Sequence, residues 1–224
     1  LEFRRVLFRS RCDAAIHVAN SFTVHDGQFE TDYFSAVDDL QGPEETGSGH
    51  INTSELTTGL YYGYVVVDVP LLVSNTEGCP AEHWKDADRR VAAEALRRMI
   101  HLISTISPGA KLGATAPYTH ASMVLLEAGD RQPRTLANAF LKPVRLASSD
   151  PDYDVLRGSY DALARCLSEH DAMYGRGEKR RVAAQRIPTD LLAQIDERMD
   201  VPALAEWVRS EEHTSELQSL LIIS

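Results

Sequence analysis

The densest group of residues able to do chemistry sits in an acid-rich stretch: Asp32, the pair Asp38-Asp39, and His50. Carboxylates with an imidazole nearby are a donor set for metal-assisted RNA cleavage, in which a bound cation stabilises developing charge. Two features weigh against that reading. Adjacent residues of a strand point to opposite faces, so Asp38 and Asp39 do not converge if the segment is extended. Acids among turn formers are also the usual solvated caps of loops. Elsewhere the potential ligands are scattered. The eight histidines show no HxxxH spacing, and Cys12, Cys79 and Cys166 stand far apart with no CxxC pair. Incidental thiols in a reducing cytoplasm are expected, rather than a disulfide or zinc framework. No metal or cofactor is implied.

Charge is distributed more tellingly than its net value of −10 suggests. From Cys12 to Trp84 there are 12 Asp and Glu and no Lys or Arg. From Lys85 to Val208, 18 Lys and Arg stand against 17 Asp and Glu. The front part alone cannot grip phosphate, since nucleic-acid affinity ordinarily comes from neutralised phosphates. It could dock a basic protein partner, which makes an acidic interaction module one alternative.

The two ends follow no hydrophobic plan. The chain opens LEFRRVLFRS, and RSEEHTSELQ runs from Arg209 to Gln218. A single run of ten codons, read in opposite senses, encodes both peptides and resembles a sequencing-library adapter. Residues 1–10 and 209–219 are therefore set aside as adapter-derived, with 209–224 as a mostly foreign tail, and Arg11–Val208 is read as a fragment of a longer frame. The closing LLIIS is far short of the about 20 apolar residues that cross a bilayer. No membrane partner is expected.

Between those ends the elements read as follows. DAAIHVANSFTVHDGQF alternates apolar and polar residues and predicts a strand running into a turn at Asp26-Gly27. TDYFSAVDDLQGPEETGSGHIN reads as an irregular loop or a long hairpin tip, and so long a stretch in a compact domain is often functional. GLYYGYVVVDVPLL is the clearest strand, limited by Pro70. SNTEGCPAEHW reads as a loop. KDADRRVAAEALRRMIHLISTIS predicts an amphipathic helix with Val91, Ala95, Met99, Leu102 and Ile106 on its apolar face and Arg90, Arg97 and Arg98 away from it. HASMVLLEAG predicts a further strand, so strand, crossover helix and strand suggest one sheet with a helix on its face. After a short helix-like piece broken by Pro143, a helix carries Val155, Leu156, Tyr160, Leu163 and Leu167. The GRGEKRR run (Arg176, Lys179 to Arg181) reads as a solvated basic loop. Two short helices are expected around Leu191–Ile195 and Ala203–Val208.

Three stretches together carry a resemblance: DAAIHVANSFTVH; YFSAVDDLQ with GSGHINTSELTTGLYYGYVVVD; and SPGAKLGATAPYTHASMVLLEAGD with TLANAF. They are similar to the CasC-type backbone subunit of Cascade, the type I-E CRISPR RNA-guided surveillance complex. The similarity runs from about Asp13 to Arg145 and weakens toward LAEWV. Members are nearly twice as long, and the portion missing here would precede Arg11.

The resemblance implies an α+β fold: an RRM-like (ferredoxin-like) palm, partial here, over 59–208, with an inserted β-hairpin thumb at about 20–58. It implies a non-catalytic subunit that polymerises along CRISPR guide RNA with copies of itself and other Cascade subunits, and supports pairing with target DNA. Thumb positions matching the family's RNA wedge are Tyr33, Phe34, Val37, His50 and Ile51; Tyr33 stands where the family can carry a larger aromatic. A small hydrophobic plug holding the hairpin together is the plainer account of those five. Lys142 and Arg145 match basic positions near the RNA, and Lys111 is a further candidate. Much of the family's basic surface lies in the missing portion.

Overall fold

The computed structural model describes residues 13–36, 50–107, 116, 118–210 and 217–223. For 28–36, 50–57 and 217–222 it gives the course of the backbone. The fold is mixed α+β.

Among the described residues, seven strands form the main sheet. They are β1 (Ile16–Val18), β2 (Phe22–Thr23), β5 (Tyr61–Val67), β6 (Met123–Gly129), β7 (Lys179–Ala184), β8 (Glu197–Arg198) and β9 (Leu217–Ile223), in the order β1-β5-β9-β6-β7-β8 with β2 also paired to β5. A separate two-stranded ladder joins β3 (Gln28–Ala36) to β4 (His50–Thr58). Helices cover both faces of the main sheet. On one face α1 (Val69–Glu77), α2 (Arg90–Thr105) and α5 (Val201–Arg209) bury Val73, Leu96, Ile100 and Leu204 against Val65, Val124 and Leu126. On the other, α3 (Val155–Tyr174) and α4 (Thr189–Leu192) bury Leu156, Tyr160, Leu163 and Leu191 against Tyr62, Met123 and Leu125. β6 is buried at all seven positions because both faces are covered; its one charged residue, Glu127, is neutralised by Arg180 and Arg134. The Tyr160 hydroxyl reaches the Ser122 and Gln185 carbonyls at 3.1 and 3.0 Å. Burial pushes this phenol up to about 12.

The expected strand–helix–strand unit is present as β5, α2 and β6, and α3 buries the apolar positions expected of it except Val155, which is half-buried. Four expectations change. The stretch after Pro70 is helical: Asp68 accepts the Leu71 N–H at 2.9 Å and Pro70 occupies the first turn, so the proline starts α1 as well as ending β5. A further 3-10 turn spans Ala81–Asp86 and buries Trp84. The buried face of α2 is Ala92, Ala93, Leu96, Ile100 and Ser104, whereas Val91, Ala95, Leu102 and Ile106 are exposed and Met99 alone of the expected five packs on the core. The small Ala92 and Ala93 face the core because α2 packs closely on α5, a choice that periodicity cannot make between two adjacent apolar rows. GRGEKRR enters a strand, β7, with Arg180 wholly buried. Apart from these, the backbone of Leu217–Ile223 runs as β9 between β5 and β6.

Candidate nucleic-acid interface

The β3–β4 ladder forms an arm outside the main sheet. Its register pairs Tyr33 with Thr53, Phe34 with Asn52, Ser35 with Ile51 and Ala36 with His50. Cross-strand partners share a face and successive residues alternate. Positions 33 and 51 therefore fall on one face of the arm, and 34 and 50 on the other. The ladder thus gathers four of the five wedge candidates within its last four pairs but divides them between two faces. Val37 lies outside the described residues, as do Asp38, Asp39 and Lys111. Asp32 and His50 share a face, yet Asp32 pairs with Ser54 and His50 with Ala36, four steps away. That is about 13 Å along the ladder. Among the described residues no three His, Cys, Asp or Glu side chains come together as metal ligands.

The arm is rooted by a residue that the sequence reading passed over. His25 is 7% exposed, and its Nε2 accepts the backbone N–H of Leu60 at 3.1 Å. That acceptor role leaves the ring proton on Nδ1, which donates to the Asp26 carbonyl at 2.8 Å. One imidazole thereby ties the chain entering β3 to the chain leaving β4. Gly59 makes this possible, since a Cβ there would lie 3.0 Å from Thr23 Cγ2 and 3.1 Å from His25 Nε2. The Asp26-Gly27 turn signal does not reveal this; a lone His before Asp-Gly is ordinary in sequence.

The same root holds the basic segment. His25 forms a parallel bridge with Val144, and the Val144 N–H donates to the Val24 carbonyl at 2.8 Å. Val144 is buried, which turns Lys142 and Arg145 outward on either side of it. The segment is anchored below by Phe140, packed edge-on to Tyr62 with ring centroids 5.6 Å apart. From the far side, the Tyr153 hydroxyl donates to the Arg145 carbonyl at 2.7 Å. Gly158 leaves room for this, because a Cβ there would meet Tyr153 Oη at 2.5 Å and Val144 Cγ1 at 2.7 Å. Both cations are exposed, with no carboxylate partner among the described residues, and Leu141 beside them is 81% exposed. The geometry is that of an apolar-and-cationic edge at the base of an anionic arm.

The other basic cluster is a structural one. Arg180 faces Glu127 across β6 and β7, its Nε donating to Oε1 at 2.8 Å, while its two terminal nitrogens donate to Asp171 at 2.6 and 2.7 Å. Arg134 joins with two bonds to Glu127, at 3.0 and 3.1 Å. Burial works against the Arg180 charge, but Asp171 and Glu127 more than offset it and the pKa is raised. Arg176 pairs with Asp196, and Arg181 pairs with Glu197 and covers the Trp207 ring. The three arginines of the run thus hold α3, β7, β8 and α5 together.

The chain matches the model of the CT1975-like protein family over residues 8–209. It belongs to that family. The CT1975-like chain is also similar to two solved structures. One, described as "CRISPR RNA-guided surveillance complex, pre-nicking", matches at 30% identity with a TM-score of 0.70, over 88% of this chain and 55% of that one. The other, "CRISPR RNA-guided surveillance complex", matches at 29% identity and 0.67, over 91% and 75% respectively. The CT1975-like chain therefore spans about half the length of the first. No curated protein matches. Among the described residues no helix is long and apolar enough to cross a membrane.

Proposed function

We propose that this chain is a non-catalytic, CRISPR guide-RNA-binding subunit that polymerises along the guide in a type I-E surveillance complex and supports its pairing with target DNA in the cytoplasm. The observation that carries the reading is the joint placement of a free-standing arm and the exposed pair Lys142 and Arg145 on one root, built from His25, Gly59 and Val144. The division of labour follows from charge. An arm without a single cation has nothing with which to neutralise phosphate, so it acts by bulk between nucleotides, where stacking with a base is worth about 1–3 kcal/mol. The root supplies the cations, and the base pairs of guide and target supply sequence specificity.

Two further features support this assignment. The faces of the main sheet are covered by helices, so bases cannot stack on them and contact falls to the arm and the root. A lone two-stranded ladder is marginally stable in water, which suits an arm completed by RNA and a neighbouring copy. The reading is tested by treating the purified assembly with ribonuclease. It expects the oligomer to fall apart, or never to form when guide RNA is withheld. An assembly that survives intact would favour the acidic protein-interaction module instead.

A further inference from the structure

The backbone of Arg145 is held at two points, one on each side of the dihedrals that aim its side chain. On the first side the buried Val144 donates its N–H to the Val24 carbonyl at 2.8 Å. On the second the Arg145 carbonyl accepts the Tyr153 hydroxyl at 2.7 Å. That second bond closes the turn-rich stretch SSDPD, 148–152, back onto the root of the arm. The half-buried Tyr153 ring is placed for it by the first turn of α3. Gly158 lies under the ring, and a Cβ there would stand 2.5 Å from the hydroxyl and 2.7 Å from Val144 Cγ1. A hydroxyl, a buried valine and a missing Cβ thus converge on one carbonyl. The stretch closed in this way is acidic, with Asp150, Asp152 and Asp154 following Arg145 in the chain. Among the described residues none of the three pairs with it. Asp150 accepts the Asp152 N–H at 3.0 Å, and Asp154 accepts the Arg157 N–H and the Arg186 guanidinium, both at 2.7 Å. An Arg145 released at its carbonyl has these carboxylates as rivals to phosphate for its charge.

We propose that Tyr153 is a positioning residue for RNA binding: its hydroxyl, by fixing the Arg145 carbonyl, holds that guanidinium outward for a guide phosphate and away from the aspartates that follow. This role rests on Arg145 contacting phosphate, as proposed above. Lys142 lies on the other side of Val144 from the bond and acts independently of Tyr153.

The test is filter binding of labelled guide RNA to the complete assembly across a salt series. It compares Tyr153→Phe, Arg145→Ala and Lys142→Ala, and Tyr153→Phe combined with each of the other two. Tyr153→Phe keeps the ring and loses one bond at the surface, so its urea midpoint is expected to stay close to the parent's. Its plot of log affinity against log salt is nevertheless expected to flatten by about 0.7 unit per copy of the chain, the value for one single-strand phosphate contact. Arg145→Ala should flatten the plot equally, and the two together no further than either alone. With Lys142→Ala the losses should add. Asp150→Asn and Asp152→Asn together should restore the slope in Tyr153→Phe, because the competing charges are gone. A merely structural tyrosine would move the midpoint and leave the slope. The proposal is overturned if Arg145→Ala flattens the plot and Tyr153→Phe does not, which leaves the phosphate reading of Arg145 intact. It is equally overturned if the losses of Tyr153→Phe and Arg145→Ala add, or if the asparagines leave the slope flat. A parental slope in Arg145→Ala itself would overturn the phosphate reading and the role of Tyr153 together.

Discussion

His25 Nε2 accepts the Leu60 N–H at 3.1 Å, closing the two chains of the arm onto one ring at its base. Removing that acceptor strands a part-buried backbone donor. His25→Ala is expected to destabilise the chain by about 1–3 kcal/mol. Gly59→Ala, which crowds the same ring, is expected to cost about 1 kcal/mol or more. Urea unfolding of the two variants checks both values. An unchanged midpoint in His25→Ala would show that the ring does not hold the root.

The buried pair of Arg180 and Glu127 makes a larger forecast. Glu127→Gln leaves a wholly buried guanidinium short of a counter-charge, and loss of about 3 kcal/mol or more is expected. Thermal or urea unfolding measures it. The basic run is then shown to be architecture, since a solvated loop would lose almost nothing.

Asp171 gives that network a pH signature. Hydrogen bonds from Arg180 hold its carboxyl below the usual aspartate range. A folded-state value below the unfolded one means a stabilising contribution that is complete above about pH 4 and fades as the pH falls through the folded value. Asp171→Asn lacks that contribution. The stability gap between the parent and this variant should therefore be widest near neutrality and narrow below about pH 4. Urea midpoints at pH 7, 4 and 3 would show it, and a gap that widens on acidification would contradict the assignment.

Lys142 and Arg145 are expected to act through phosphate. Replacing either by alanine should weaken guide binding at low salt and flatten the plot of log affinity against log salt by about one unit or less. Substitutions in the arm should leave that slope alone. Filter binding across a salt series separates the two behaviours.

Cleavage is the reading this account sets against its own. The assembled complex, free of any helicase-nuclease partner, is expected to leave labelled complementary RNA and DNA intact in the presence of divalent metal. Cuts that appear with metal and vanish in Asp38→Ala would replace a structural subunit with an enzyme.

How far the sequence revealed this architecture depends on whether the decisive contact is local. β5, β6 and α3 were legible, because β5 and β6 are local runs of strand-favouring apolar and aromatic residues and α3 carries a helical period over 20 residues. α1 was not, because Pro70 was read as a strand terminator while Asp68, two residues earlier, was the cap that made it a helix start. In α2 two apolar rows lie side by side, and only packing against α5 selects Ala92, Leu96 and Ile100 over Val91, Leu102 and Ile106. Arg180 looks no different from Lys179 or Arg181 in sequence; its partners Glu127 and Asp171 are 53 and 9 residues away. His25 was invisible for the same reason, since Leu60 is 35 residues on. Tyr33, Phe34, His50 and Ile51 were singled out through resemblance, and only the ladder register reveals how they divide between its faces.

The central claim is that the arm works on RNA by apolar bulk while the root holds it by charge. The most direct measurement is nucleotide-resolution footprinting of guide RNA, with target capture, in a complete assembly carrying Phe34→Ala, Val37→Ala and Ile51→Ala together. The account predicts loss of the regular spacing of exposed nucleotides and weakened capture of matched target, at an unchanged salt slope. Guide spacing and target capture equal to those of the parent assembly would contradict it.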